Sequence, residues 1–488
     1  MLRPMTSAGS VRLRPRVTLL FTAALLSGCM VGPDYQRPQT RVPEAYLYEP
    51  KDAADTANTQ WWKQFQDPVM DQLIKDALAN NYNVKIAAAN VEQASAAIIT
   101  VRSPLFPQVG YGADASRNRY STNGATPIPS GVSATQNNFQ LFAGASWEID
   151  LWGRVRRETE AAQAQLLATE QARRGVLLSL VSSVAGSYLQ LRALDQQLVI
   201  SQRTLEAYAE SVKLFELQNK YGQTSMMTVE QARSQYESAA AQIPQISQQI
   251  VETENAINIL LGRNPGPVPR GAPLKDIGLP AVPAGLPSTL LEQRPDIAEA
   301  EQNLIAANAL IGAAKAQYYP SISLTAGYGT ASSDLSNLFK GGSRTWSYGG
   351  SITGPIFTGG SIFGQVAQAT ASQKAALYAY QQAIQNAFGD VETSLSSREQ
   401  LGMQLQAQEK LVKALREYAR LARLQYDGGY TPYLTVLYAE QQLFPAELNY
   451  VKTLGQLYIA SVNIYKATGG GWINEANAMA PQPVPEKW

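Results

Sequence analysis

The chain has 488 residues, 40 Lys and Arg against 39 Asp and Glu, no histidine and one cysteine, Cys29. Balanced charge offers no basic excess for nucleic acid, and the lack of histidine removes the usual general base and the commonest metal ligand. No phosphate-cradling loop or nucleophile elbow occurs, since Gly349-Gly350-Ser351 and Gly359-Gly360-Ser361 are only near misses. Carboxylate pairs stay open in principle. The acidic residues are scattered along helical patterns, however, so no enzyme activity, cofactor or metal site is expected.

In chain order, residues 1–28 read as a lipoprotein signal peptide. Arg3, Arg12, Arg14 and Arg16 precede an apolar run from Val17 to Leu26. That run is about ten residues, where a membrane-spanning helix needs roughly 20. Leu26-Ser27-Gly28-Cys29 resembles a bacterial lipobox, which makes Cys29 the expected lipidation site and the first mature residue. A mature chain without a free thiol has no disulfide and is held by packing. Several acyl chains at Cys29 would tether it firmly to membrane lipid. Met30 follows the cysteine, in place of the aspartate that commonly retains such lipoproteins in the inner membrane. The outer membrane is therefore the expected location, with 29–60 as a lipid-anchored N-terminal segment.

Beyond that segment the chain repeats itself. Asn83-Val84 answers Asp296-Ile297, Ala94 answers Ala307, and Pro107 answers Pro320 at one offset. Leu217-Gln218 answers Leu424-Gln425, Gly222 answers Gly429, and Thr228-Val229 answers Thr435-Val436 at a slightly smaller one. The first repeat spans 61–264 and the second 287–472. A Pro- and Gly-rich linker, 265–286, joins them, and 473–488 is a C-terminal tail. Each repeat predicts a helix (Asp67–Arg102 and Pro287–Gln317), two strands, and two long helical stretches. The strands are 107–118 and 138–151, then 320–331 and 345–357. The helical stretches are Gly153–Gln218 with Met226–Leu261, and Gly360–Gln425 with Leu434–Ala467. At 1.5 Å per residue, the longer ones reach roughly 100 Å if unbroken.

The strand segments alternate apolar and polar residues over about ten positions, the pattern of a transmembrane barrel strand. Val109, Tyr111, Ala113 and Ala115 mark one face, as do Ile322, Leu324, Ala326 and Tyr328, and Trp346, Tyr348, Ile352 and Ile356. In 139–151 every odd position is apolar, and Phe142 is the one apolar residue on the opposite face. A soluble two-sheet sandwich is the alternative. Against it stand polar faces of mostly small residues with few charges and three tryptophans, Trp147, Trp152 and Trp346, that suit an interface belt. Four strands cannot close a barrel, and an open edge in lipid strands its backbone groups. Strands must then be pooled between chains. Eight would enclose only side chains, so an open conduit needs three copies or more. Tyr221-Gly222-Gln223-Thr224 and Gly428-Gly429-Tyr430-Thr431 turn the two long hairpins at equivalent points, which gives them a shared tip.

Several motifs carry a family likeness: Val31-Gly32-Pro33-Asp34-Tyr35, Trp61-Trp62, Trp147–Arg154 (WEIDLWGR), Arg294-Pro295-Asp296-Ile297 and Gly469-Gly470-Gly471-Trp472. With the lipobox and the duplication, the chain resembles the outer-membrane efflux (TolC-like) family. More narrowly, it resembles the lipidated outer-membrane factors of tripartite (RND-type) efflux pumps. The resemblance implies a mixed fold. A long α-helical periplasmic barrel is joined to a transmembrane β-barrel shared between the subunits of a homotrimer, with four strands per chain. It also implies two partners, a periplasmic adaptor and an inner-membrane pump, and a passive exit route for drugs or other small toxic compounds. The tips Tyr221, Gly222, Gln223, Gly429, Tyr430 and Thr431 match adaptor-contacting turns. Leu434, Thr435 and Tyr438, with Thr228 as first-repeat counterpart, match the residues that pinch the periplasmic end. Relatives commonly carry aspartates at the positions of Thr435 or Tyr438, and this chain carries none. A partly apolar constriction is expected instead. A protein-secretion outlet of the same fold and a structural envelope lipoprotein remain as other readings.

Overall fold

The computed structural model describes residues 30–40, 42–48, 58–124, 128–129, 131–283 and 287–484. The signal peptide and Cys29 lie outside the described residues. Two compact units divide the chain, one of residues up to 38, 94–166 and 302–378, the other of 39–93, 167–301 and 379 onward. The helices are α1 (Pro68–Asn80), α2 (Tyr82–Arg102), α3 (Arg154–Lys220), α4 (Met226–Leu260), α5 (Pro287–Gln293), α6 (Pro295–Ala316), α7 (Ser361–Asp427), α8 (Tyr433–Thr468) and α9 (Trp472–Met479). The strands are β1 (Gln108–Arg119), β2 (Thr135–Ile149), β3 (Ser321–Ser332) and β4 (Arg344–Thr353).

In the first unit the strands form one antiparallel meander in the order β1-β2-β3-β4. The β2–β3 pairing joins the two repeats into one sheet, with Ala145 opposite Ala326 and Trp147 opposite Leu324. Because directly opposite residues share a face, the predicted apolar positions line up across all four strands. One row reads Val109, Ala145, Ala326, Tyr348, and the next Tyr111, Ala143, Tyr328, Trp346. Tyr111, Tyr348 and Trp346 are exposed. Phe142, the exception in the alternation, has glycines on both sides, Gly112 on β1 and Gly329 on β3. A methyl at Gly112 would lie 2.7 Å from its ring. The aromatic thus fills the space that two missing side chains leave open.

The strand limits shift slightly from expectation, and β4 stops at Thr353 rather than 357. Gly354 and Pro355 follow, and proline has no N–H for a ladder. Ile356 is consequently fully exposed outside the sheet. Two of the three tryptophans expected in an interface belt also have fixed partners. Trp147 donates its Nε1 to the Leu105 carbonyl (3.0 Å). Trp152 donates to Pro320 (2.7 Å) and stacks on Tyr319 at 4.6 Å. Both therefore brace the strand–helix junction. Trp346 stands two strand positions from Arg344, further along the sheet.

Each predicted first helix is two helices, and both breaks lie in the second unit. Asp67 caps α1, accepting from Val69 N at 2.9 Å ahead of Pro68 at the first position. The break follows at Asn81, whose Oδ1 accepts from Asn83 N (2.8 Å) and Val84 N (3.2 Å) and so starts α2. Its Nδ2 donates to the Leu260 carbonyl at 2.8 Å, at the end of α4. The second repeat breaks at Arg294, because a residue before proline is disfavoured in helix. Arg294 donates to the Ala467 carbonyl at 3.0 Å, at the end of α8. The joint is thus duplicated with different chemistry, a neutral amide in one copy and a guanidinium in the other. Arg294 also reaches Asp296 (2.7 Å) and Asp390 (3.0 Å).

The core of this unit is aromatic. Trp61 lies 5.7 Å from Trp62, 5.9 Å from Trp472 and stacks on Tyr465 at 5.2 Å. Trp61, Trp62 and Trp472 are essentially inaccessible. The stretch expected as a tail therefore begins as helix α9, held by the burial of Trp472, Ile473 and Ala476.

Candidate functional site

The two hairpin turns have the same backbone. Gln223 N donates to Gln218 O (2.8 Å) and Gly222 N to Asn219 O (2.9 Å). Tyr430 N donates to Gln425 O (2.8 Å) and Gly429 N to Tyr426 O (2.9 Å). This is a Schellman ending, which calls for a left-handed residue just past the helix. Gly222 and Gly429 supply it, with φ of 73° and 76°. Tyr221, Gly222, Gln223, Gly429 and Tyr430 are exposed, and Thr431 is half-buried.

Beneath the turns the two hairpins share a small core of Phe215, Val229, Ala232, Ala422, Tyr433, Val436, Leu437 and Ala439. Phe215 and Tyr433 approach to 4.1 Å and Tyr426 packs on both. This packing orients the start of α8. With Tyr433, Val436 and Leu437 buried, Leu434 and Tyr438 project from the other side and are exposed, while Thr435 and Thr228 are half-buried. Three of the four sequence-predicted gate residues therefore share one helical face. Thr435 pairs its hydroxyl with that of Thr431 (2.8 Å), and Thr228 with that of Ser225 (3.3 Å). No carboxylate stands among these four. Glu440 is the nearest acid along α8; burial pushes its carboxyl up from the ordinary value while Arg423 pulls it down.

The first unit holds residues that sequence reasoning passed over. Arg157 is buried, and its guanidinium donates to the carbonyls of Val31 (3.3 Å) and Gly32 (3.5 Å) and to the Asp34 carboxylate (2.7 Å). Asn308 donates to Pro33 O (2.9 Å), and Val31 N to Trp152 O (3.1 Å). Gly32, at φ 109°, lies against Gly312 so closely that a methyl there would sit 2.4 Å from the Gly312 Cα. The Val31–Asp34 motif is thus strapped to α3 and α6. Nothing in local sequence marks Arg157 or Gly312 for this, because each partner lies more than a hundred positions away. Asp150 of the WEIDLWGR motif accepts from Val155 N (3.1 Å) and Arg156 N (3.0 Å), the free N–H groups at the start of α3.

The sequence profile of the outer membrane efflux protein family matches residues 73–263 and 286–470, one segment for each repeat. The chain belongs to the outer membrane efflux protein family. Among curated relatives, the probable efflux pump outer membrane protein TtgC of Pseudomonas putida is 38% identical over 480 residues, covering 96% of this chain and 99% of that one. The cation efflux system protein CusC of Escherichia coli is 37% identical, covering 94% and 99%. A crystal structure of CusC superposes with a TM-score of 0.81 at 35% identity, over 91% of this chain and 100% of that one. The CmeC outer membrane channel of Campylobacter jejuni superposes with a TM-score of 0.86 at 27% identity, over 93% and 99%.

Membership settles the cellular frame. The protein is the outer-membrane component of an efflux system, of a TolC-like channel fold that spans the outer membrane and periplasm. The apolar rows suit the lipid side of such a channel's sheet, and the strand ends that meet the helices suit its periplasmic side.

Proposed function

We propose that three copies of this chain pool their strands into one twelve-stranded barrel and serve as a passive exit duct for small toxic organic compounds. The observation that carries this reading is the four-stranded sheet itself. Among the described residues β1 pairs only with β2 and β4 only with β3, which leaves two edges that lipid cannot satisfy. Three copies are the fewest whose joined edges enclose water rather than side chains. The driving energy comes from an inner-membrane pump. A periplasmic adaptor docks on Tyr221, Gly222, Gln223, Gly429, Tyr430 and Thr431, and the exposure of all but the half-buried Thr431 supports this. Leu434, Thr435 and Tyr438 with Thr228 narrow the periplasmic mouth. Cys29 carries the lipid, and the strapped Val31–Asp34 segment suits an anchor held close to the barrel. Relatives are named for toluene and antibiotic efflux, and a gate without carboxylates suits uncharged organic cargo.

The test is accumulation of dyes, antibiotics and metal ions in cells with and without the gene, beside cells that carry Gly429→Trp. Deletion and the tip variant should both raise accumulation of organic compounds. If neither does while the protein sits in the outer membrane, the exit-duct reading fails and protein secretion moves ahead.

A further inference from the structure

Charge on the sheet is segregated by face. The register places Arg117 and Arg119 on the same face as Val109, Tyr111, Ala113 and Ala115. It places Arg344, opposite Thr330, on the same face as Trp346 and Tyr348. These three arginines are the only charged side chains on the lipid-facing side of the sheet, and that side has no acid. The two acids of the sheet, Asp114 and Glu148, lie on the opposite face. All three arginines are exposed, and among the described residues none has an acidic partner.

The arginines are also segregated along the strands. Arg119 ends β1 and Arg344 begins β4, both at the ends away from the helices and therefore at the extracellular side. A charge at the bilayer midplane costs ~2–4 kcal/mol, falling to about 0–1 near an interface. Apolar rows occupy the costly depth, and the arginines sit where charge is tolerated. Arginine also fits phosphate through two parallel N–H donors, which lysine cannot match. β1 and β4 are the two sheet edges, so closure of the proposed trimer sets the strand that carries Arg344 beside the next copy's strand that carries Arg117 and Arg119.

We infer that Arg117, Arg119 and Arg344 form a binding site for the phosphorylated headgroup of an outer-leaflet lipid. The convergence at the subunit seam rests on the trimer proposed above. The placement on the lipid face of each chain does not.

Native mass spectrometry of the full chain in nonionic detergent tests both separately, since one spectrum reports copy number and bound lipid. Lipid A, dephosphorylated lipid A and phosphatidylcholine are titrated in turn. Lipid A should bind about tenfold more tightly than either other lipid. The variant Arg117→Gln/Arg119→Gln/Arg344→Gln should lose that preference, and the matching triple lysine variant should keep part of it. Equal binding of lipid A and its dephosphorylated form to the wild type overturns the site without recourse to any variant. A preference that survives in a folded glutamine variant overturns it too. Displacement of lipid A by millimolar inorganic phosphate would show that phosphate alone is recognised, which also defeats the lipid assignment. A mass other than three chains with the preference intact defeats the trimer and leaves the site standing.

Discussion

Glu447 shows how far burial, rather than charge count, decides what a residue is worth. Its carboxylate, 4% exposed, accepts from Arg203 of α3 at 2.6 Å and Arg416 of α7 at 2.7 Å, while both arginines are more than half exposed. It ties the two long helices to α8. Glu447→Gln frees two arginines that water can take up, so it should cost only about 1–2 kcal/mol. Arg203→Gln with Arg416→Gln strands a buried carboxylate and should cost about 3–5 kcal/mol. Denaturant melts of the three proteins read the difference, and equal losses would show that the carboxylate is hydrated after all. Glu440 poses the opposite problem, since one of its oxygens is buried without a partner. Burial raises its pKa above the unfolded value of 4.5. The folded chain then holds this proton more tightly than the unfolded one, and stability falls as pH rises from about that value to the folded pKa. Glu440→Gln should remove this loss. Its melting temperature should match wild type near pH 4 and exceed it at pH 7, whereas a constant gap would assign the effect to packing alone.

At the scale of elements, four helices end on a glycine with positive φ, yet the four sites differ. Gly222 and Gly429 face open space, so a methyl there meets only backbone strain. At Gly262 (φ 66°) a methyl would lie 2.5 Å from the Asn80 carbonyl oxygen, and at Gly469 (φ 67°) it would lie 2.9 Å from that of Gln293. The latter pair belongs to the duplicated joint, where the end of a long hairpin packs on the break between two short helices. Gly222→Ala should therefore cost about 1–2 kcal/mol. Gly262→Ala adds a backbone clash and should cost at least twice as much. Thermal melts of the two variants decide it, and equal costs would show that the joint yields freely. The turn glycines were legible in sequence, because a glycine between two long helical patterns is a local signal. The joint was not, because it depends on a carbonyl some 180 residues away.

For the whole molecule, the main consequence is that the described strands of one chain do not close into a barrel. Among the described residues the sheet has two unpaired edges, and the proposed gate residues Leu434 and Tyr438 face away from the core beneath the turns. In the proposed trimer the lumen belongs to the assembly, so substitutions at the proposed gate act three at a time. Leu434→Ala with Tyr438→Ala removes six large side chains from the proposed constriction. It should raise single-channel conductance in planar bilayers severalfold, and unchanged conductance would take these residues out of the gate.

The sequence by itself determined whatever follows from the period of the backbone. Alternation at two marked four strands and their apolar face, glycines marked both hairpin tips, and self-similarity marked the duplication. These signals are local, since side chains two apart on a strand share a face wherever that strand lies. Tertiary structure alone decided which elements meet. It joined β2 to β3 across the repeats, set Arg157 on Val31, Gly32 and Asp34, and brought Arg203 and Arg416 to Glu447. It also turned the expected tail into a helix around Trp472. Such contacts join residues distant in the chain, and their energy comes from burying and pairing groups that are adjacent only once the protein has folded.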